Sequence, residues 1–471
     1  MNVDTEDHET FRNQLASVAR DGRRRWIYAR QPQGRLYRAR TAVGAVLLAF
    51  LFLAPFVTVN GQPLMLLDIV HRRFVLLGVL FRPQDFHIVV LVALTALVTL
   101  VLSTVVVGRI WCGWLCPQTV FMEMLFRRIE YLIDGSAEQQ VRRSGGPWTR
   151  LRALRLAIKH AIFFALSFAI ANVFLAWIIG APELWTIVTD APANHLGGLT
   201  AITFFSLVFY LVFARFREQA CVLACPYGRV MSALIDRRTV TVTYDVGRGE
   251  PRGRISRAAA AGGRGSGDCI DCHQCVTVCP TGIDIRDGIQ LECVNCTACI
   301  DACNGVMERI GKPAGLIRLT SHQAVVTGET GWLTLRAAAY GTVWVVLVAA
   351  VTVLLAGRRN LDVLILRQPG TLYTTVGSDD VANFYNVQAL NRTPRRTAFA
   401  IEVTRPAGAS ITALGAMSEV EPYGLLEGRV LLRLPRASLS GPSTAVTFDV
   451  RTADGVVQTI ESAFLGPAHT R

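Results

Sequence analysis

Five uncharged apolar runs constrain this chain more than any other feature. They are Thr41–Val59, Ile88–Gly108, Ala161–Gly180, Gly197–Ala214 and Ala337–Gly357, and a helix of about 20 such residues crosses a bilayer. In hydrocarbon every backbone polar group must find its partner within the segment, so runs of this length fold as helices. The first run follows an Arg-rich preface of 40 residues with no small-residue cleavage site after it, and reads as an uncleaved anchor, not a signal peptide. With 51% apolar and 18% charged residues over 471 positions and a mean hydropathy of +0.37, the chain is neither disordered nor an ordinary soluble enzyme.

Basic residues in the short loops predict the orientation. Residues 1–40 carry nine Arg and 109–160 carry eight plus Lys159, whereas 60–86 carry only Arg72, Arg73 and Arg82, and 181–196 none. The N-terminus is therefore expected inside, the segment 215–336 in the cytoplasm, and everything after Gly357 outside. Topology also accounts for the net charge of +13, so nucleic-acid binding has no support.

The twelve cysteines fall into two kinds of repeat. Cys269-x2-Cys272-x2-Cys275-x3-Cys279-Pro280 is followed, 24 residues on, by Cys293-x2-Cys296-x2-Cys299-x3-Cys303. This is the spacing of bacterial two-cluster ferredoxins, in which the fourth Cys of each run ligates the other cluster. The expected ligand sets are Cys269, Cys272, Cys275 and Cys303 for one 4Fe–4S cluster and Cys279, Cys293, Cys296 and Cys299 for the second. Paired zinc sites use a different spacing, and cytoplasmic disulfides are disfavoured. Cys303 is followed by Asn304 where Cys279 is followed by Pro280. His273 reads as a surface turn residue.

The other repeat is Cys112-x3-Cys116-Pro117 after the second run and Cys221-x3-Cys225-Pro226 after the fourth, 109 residues apart. If helical, each pair shares one face. Four thiols are soft donors suited to Cu(I), zinc or iron–sulfur units; the alternative is packing of small hydrophobes. Met122 and Met231, each six residues beyond its pair, read as gap-fillers with thioether ligation as the alternative. Glu123 reads as a solvated helix face or a proton relay, and His160 as an interfacial residue rather than a ligand.

The expected domains are a cytoplasmic arm (1–40), a four-span membrane domain (41–244), a Gly- and Arg-rich flexible linker (245–267), a two-cluster ferredoxin-like domain (268–320), the fifth span (337–357) and an immunoglobulin-like β-sandwich (362–471). The sandwich rests on about seven short strands, from Val363–Leu366 to Val457–Ile460, without a Cys–Trp–Cys hallmark.

This combination resembles the cytochrome c oxidase accessory protein family CcoG, also called FixG or RdxA. The stretches Cys269–Cys303 and Trp111–Met124 are especially similar. The resemblance implies a protein of the bacterial inner membrane that acts in assembly of cbb3-type cytochrome c oxidase and reduces Cu(II) to Cu(I) at Cys112, Cys116, Cys221 and Cys225. Its implied partners are the oxidase or its copper chaperones, a cytoplasmic electron donor and the lipid bilayer. Two alternatives stay open: a quinol dehydrogenase or electron conduit of the nitrate- or nitrous-oxide-reductase maturation type, and a non-enzymatic assembly scaffold.

Overall fold

The computed structural model describes residues 16–467 except 20, 60, 70–72, 254–266, 329–330, 332–333, 378, 416 and 454. The chain divides into two compact units. The first holds most of the chain up to Val351, and the second is built from Thr352–Arg471 with Thr58–Gln62 and Val75–Arg82.

Five helices in the first unit and its C-terminal exit are long and apolar enough to cross a membrane: Arg35–Phe56, Phe86–Val107, Arg150–Ile179, Pro192–Phe216 and Leu335–Ala356. Exposed apolar side chains such as Leu94, Leu97, Phe204, Leu207, Val345 and Val353 cover them, as expected of surfaces solvated by lipid. The first and third helices begin earlier than their apolar runs. Arginine at a helix end can run its aliphatic stem along apolar surface while its head reaches polar surroundings, so the helix outlasts the hydrophobic stretch. Trp177 donates to the Leu51 carbonyl at 3.0 Å and Trp344 to Thr99 Oγ1 at 2.8 Å, tying the third span to the first and the fifth to the second. An aromatic knot of Phe121, Phe126, Phe163 and Phe213 closes the bundle, with Phe126 stacked on Phe213 at 4.5 Å.

The cysteine-rich segment is closed by an antiparallel strand pair, Val240–Tyr244 with Ile317–Ser321. Its core joins Val242, Tyr244, Ile283, Ile285, Ile300, Val306, Met307 and Leu316 to Cys269, Cys275 and Cys303. The cluster-bearing fold therefore starts at Val240, inside the stretch expected to belong to the membrane domain. The expected linker 245–267 is in part ordered: Asp245 caps a helical turn, Val246–Gly249, and Gly253 donates to the Cys269 carbonyl at 3.0 Å. Residues 254–266 of that linker, and residues 1–15 of the N-terminal arm, lie outside the described residues. Among the arm's described residues, Ala29 is buried and Arg30 N–H reaches the Thr277 carbonyl at 2.7 Å.

In the second unit, one antiparallel sheet runs Ser410–Leu414, Leu425–Pro435, Asp380–Asn391, Leu361–Arg367, with Thr374–Val376 also on Asp380–Asn391. The other runs Ala400–Arg405, Ser443–Thr452, Gly455–Leu465. Alternate residues of both sheets, including Val381, Tyr385, Leu432, Val446, Phe448 and Phe464, form one core. Tyr385 packs edge-on to Phe448 at 5.2 Å and donates to the Ala463 carbonyl at 3.0 Å. This is the expected immunoglobulin-like sandwich, with Ser410–Leu414 as a strand not foreseen.

Candidate electron-transfer site

The two cysteine runs fold as a repeat. Asp271 and His273 flank Cys272 with left-handed backbone (φ 53° and 54°), and Asn295 and Thr297 flank Cys296 the same way (φ 52° and 63°). Alternation of handedness turns successive N–H groups inward, a concavity suited to anions and found at iron–sulfur sites. Cys269, Cys272, Cys275 and Cys303 line one small cavity, walled otherwise mainly by Tyr244, Met307, Leu316 and Ile317. Cys279, Cys293, Cys296 and Cys299 line a second, with Val242, Ile283 and Ile285. Cys275 borders both. Among the described residues no three His, Cys, Asp or Glu converge on a single ion. Four thiols, apolar walls and inward amides fit a 4Fe–4S cluster in each cavity. Burial pushes the thiols of Cys275 and Cys293 up to about 12 and those of Cys296 and Cys303 to about 11, so loading a cluster must displace protons.

The membrane-side cysteines follow their own repeat. The second span ends at Gly108 (φ 58°) and the fourth at Arg217 (φ 51°), 109 residues apart, so the chain turns alike in both halves. Cys116 N–H then bonds the Trp111 carbonyl at 2.8 Å and Cys225 N–H that of Ala220 at 2.9 Å. Both are wide, six-residue turns. The expectation that each pair shares a helix face needs correction. Cys116 and Cys225 have extended backbone and are N-caps of new helices starting at Pro117 and Pro226, because a residue before proline is sterically kept out of the α region. Each pair therefore brackets a turn.

Cys112, Cys116, Cys221 and Cys225 lie close enough for their charges to interact, with Arg109 among them. Burial raises the Cys112 and Cys116 thiols, and takes Cys221 to about 12. Cys112 packs against Val278, Val294, Cys296 and Ala298, so the first thiol pair touches the second cluster loop. Cys221 lines a small void with Met122, Glu123, Arg217, Glu218, Pro280, Thr281 and Val294.

Several docking residues escaped the sequence reading. Asp301, on the helix Ala298–Arg309, accepts the N–H groups of Leu36 and Tyr37 at 3.3 and 2.7 Å, capping the first span from outside it. Arg40 is buried, donates Nε to the Gly113 carbonyl at 2.7 Å, and has two terminal nitrogens without hydrogen-bond partners among the described residues. Asn295 donates to the Val107 carbonyl at 3.2 Å, and Arg109 to that of Leu291. The one signal in the sequence was an arginine or glycine at the edge of an apolar run beside a Cys pair.

The remaining candidates are placed as follows. Glu123 is buried and paired with Arg127 at 2.9 Å, so it is not a solvated helix face; it lines the void beside Cys221. Met122 is part of the aromatic knot as well as the Cys221 void, and Met231 is buried. His160 Nδ1 pairs with Tyr210 OH at 2.8 Å. His273 is exposed beside Asp271 at 3.2 Å.

Family models match three stretches: a 4Fe-4S dicluster domain over residues 216–322, a 4Fe-4S binding domain over 89–133, and the IG-like fold at the C-terminal of FixG over 351–467. Protein RdxA of Cereibacter sphaeroides is 34% identical over 468 residues, covering 93% of this chain and 97% of RdxA. The chain belongs to the FixG/RdxA family. Nitrogen fixation protein FixG of Rhizobium meliloti is 31% identical over 88% of this chain and 87% of its own; protein RdxB of Cereibacter sphaeroides is 31% identical over 83% and 84%. The chain joins iron–sulfur domains to helices long and apolar enough to cross a membrane, and it is an iron–sulfur electron-transfer protein of the membrane.

Proposed function

We propose that the protein is a cupric reductase serving assembly of cbb3-type cytochrome c oxidase. Cu(II) is its substrate at Cys112, Cys116, Cys221 and Cys225, and Cu(I) its product. The observation that carries this reading is the packing of Cys112 against Val294 and Cys296, which puts a group of soft donors beside a cluster loop. Cys269, Cys272, Cys275 and Cys303 would hold one cluster, and Cys279, Cys293, Cys296 and Cys299 the other. When bound, these clusters supply single electrons, one for each Cu(II) that becomes Cu(I).

The chain's own residues do the rest. Cys272 is exposed where Cys296 is buried, so the first quartet faces a soluble donor and the second faces the membrane thiols. Thiolates prefer Cu(I) to Cu(II) and favour the product. By the bias of basic loops, the cluster face lies in the cytoplasm and the sandwich in the periplasm of a bacterial inner membrane. The oxidase or its copper chaperones would then receive Cu(I).

A second reading has one specific support. The 4Fe-4S binding model over residues 89–133 includes Cys112 and Cys116, which favours an iron–sulfur group at the membrane thiols and an electron conduit without copper chemistry. One comparison separates the two. Full-length protein in detergent is reduced anaerobically and Cu(I) is followed with a Cu(I)-specific chromophore, for wild type and for a variant with all four membrane cysteines changed to Ser. Rapid Cu(I) formation lost in the variant, at unchanged iron content, is the expected result. Iron lost together with the rate would favour the conduit, and equal rates would overturn copper chemistry at these thiols.

A further inference from the structure

A cavity of about 660 Å³ opens away from the cysteines, among Trp26, Tyr28, the loop after Asp134, the start of the third span and the end of the fourth. Its volume is in the range of small-molecule sites. Seven cations line it, Arg142, Arg143, Arg152, Arg155, Lys159, Arg215 and Arg217, against two carboxylates, Glu130 and Asp134. The carboxylates are already used: Lys159 pairs with Asp134 at 2.6 Å and Arg217 with Glu130 at 2.6 Å. Arg143 and Arg152 are spent on backbone carbonyls of the loop, such as Asp134 and Ser144. Arg142 interacts with Glu138 one turn earlier on its helix, whereas Arg155 and Arg215 form no ion pair among the described residues.

The walls are amphipathic. Trp26 lies under the guanidinium groups of Arg24 and Arg215, at 3.9 and 5.7 Å, and Trp148 under Arg152 at 4.8 Å. Leu151, Leu156 and Phe163 line the side towards the third span. On that helix Leu154, Ile158 and Ile162 are exposed, four residues apart, an apolar stripe on the face beside the one that lines the cavity, leading to the uncharged run that begins at Ala161.

We propose that this cavity holds the headgroup of an anionic phospholipid. Its phosphodiester would sit between Arg155 and Arg215, and its acyl chains would run along the Leu154–Ile162 stripe. Basic pockets at the ends of membrane helices recognise anionic headgroups by the same charge complementarity. A free phosphate shares the charge but has no use for the apolar stripe or the tryptophans.

The test is native mass spectrometry of the full-length protein released from detergent with phosphatidylglycerol, with phosphatidylcholine, or with phosphatidylglycerol plus millimolar inorganic phosphate. One phosphatidylglycerol should be retained over phosphatidylcholine, and inorganic phosphate should not displace it. The double variant Arg155→Gln/Arg215→Gln should lose about tenfold or more in retention, while Arg155→Lys/Arg215→Lys and the distant Arg309→Gln keep it. Thermal melting and iron content establish that the Gln variant is folded. Equal retention of the two lipids, displacement by inorganic phosphate, or undiminished binding by a folded Gln variant would each overturn the proposal.

Discussion

Gly113 lies in backbone contact with Cys296. A Cβ on Gly113 would collide with the Val294 carbonyl and stand 3.0 Å from the Cys296 N and Cα atoms. The first membrane cysteine turn is thus fitted against the second cluster loop with no room for a methyl group. Gly113→Ala should push the two apart while leaving all eight cluster cysteines in place. Iron content should stay near wild type, and Cu(I) formation should fall at least tenfold. Gly305→Ala is the control, because a Cβ there meets open space in the helix Ala298–Arg309 and should add about 0.5–1 kcal/mol of stability. Unchanged cupric reduction in Gly113→Ala would mean this contact has no part in electron delivery.

Arg40 reaches the same place from the first span. Its Nε holds the Gly113 carbonyl, its positive charge favours the Cys296 thiolate, and its terminal nitrogens have no hydrogen-bond partner among the described residues. A fixed cation beside an iron–sulfur site stabilises the reduced, more negative form, since charge and hydrogen bonding set the potential. Arg40→Gln should therefore lower the potential of one of the two clusters by tens of millivolts and leave the other unmoved. Redox titration followed by electron paramagnetic resonance would read this. Equal shifts of both clusters would point to general loosening instead.

Much of this was legible in the sequence, for physical reasons that differ by feature. The spans were visible because hydrocarbon demands uninterrupted apolar residues, and the cluster quartets because a 24-residue repeat at ferredoxin spacing has few other uses. The geometry of Cys116 and Cys225 was also legible, since the proline after each one bars the helical conformation; counting i and i+4 ignored it. Glu123 was not legible, because its partner Arg127 is buried with it only once the knot around Phe126 forms. Nor was Asp301, whose role as cap for the first span is a contact across 264 positions.

That cap makes a direct prediction. Asp301 accepts two of the orphan N–H groups at the start of the first span, and removing such a cap costs about 1 kcal/mol, up to 2. Asp301→Ala should lower the thermal midpoint in detergent, and Asp301→Asn, which keeps an acceptor oxygen, should lose less. Equal losses would show that charge, not hydrogen bonding, is what the helix start requires.

The Cys221 thiol offers a test by pH. Burial, with added repulsion from the neighbouring thiols and partial relief from Arg109, holds it up to about 12. A raised thiol is neutral below that value, so at pH 8 only about one molecule in ten thousand carries the thiolate. In metal-free protein, alkylation at Cys221 should be very slow at pH 8 and quicken about tenfold per unit up to pH 11. Mass spectrometry of the modified peptide follows it. A fast, pH-independent reaction near pH 7 would mean that Arg109 outweighs burial.

Arg217 presents two opposing effects that one substitution can weigh. Its backbone sits at φ 51°, where the equivalent position in the first repeat is Gly108, and such strain costs on the order of 1–3 kcal/mol. Its guanidinium is buried and pairs with Glu130 at 2.6 Å and with Glu218 at 3.6 Å. Removing one partner of a buried pair costs about 3–5 kcal/mol, because a charge is left without compensation. Arg217→Gly would relieve the first and incur the second, for a net loss of about 2 kcal/mol. Arg217→Gly/Glu130→Gln should recover part of that loss. Thermal unfolding of both variants in detergent decides the balance: if the single variant proves more stable than wild type, the strained turn and not the ion pair dominates at the end of the fourth span.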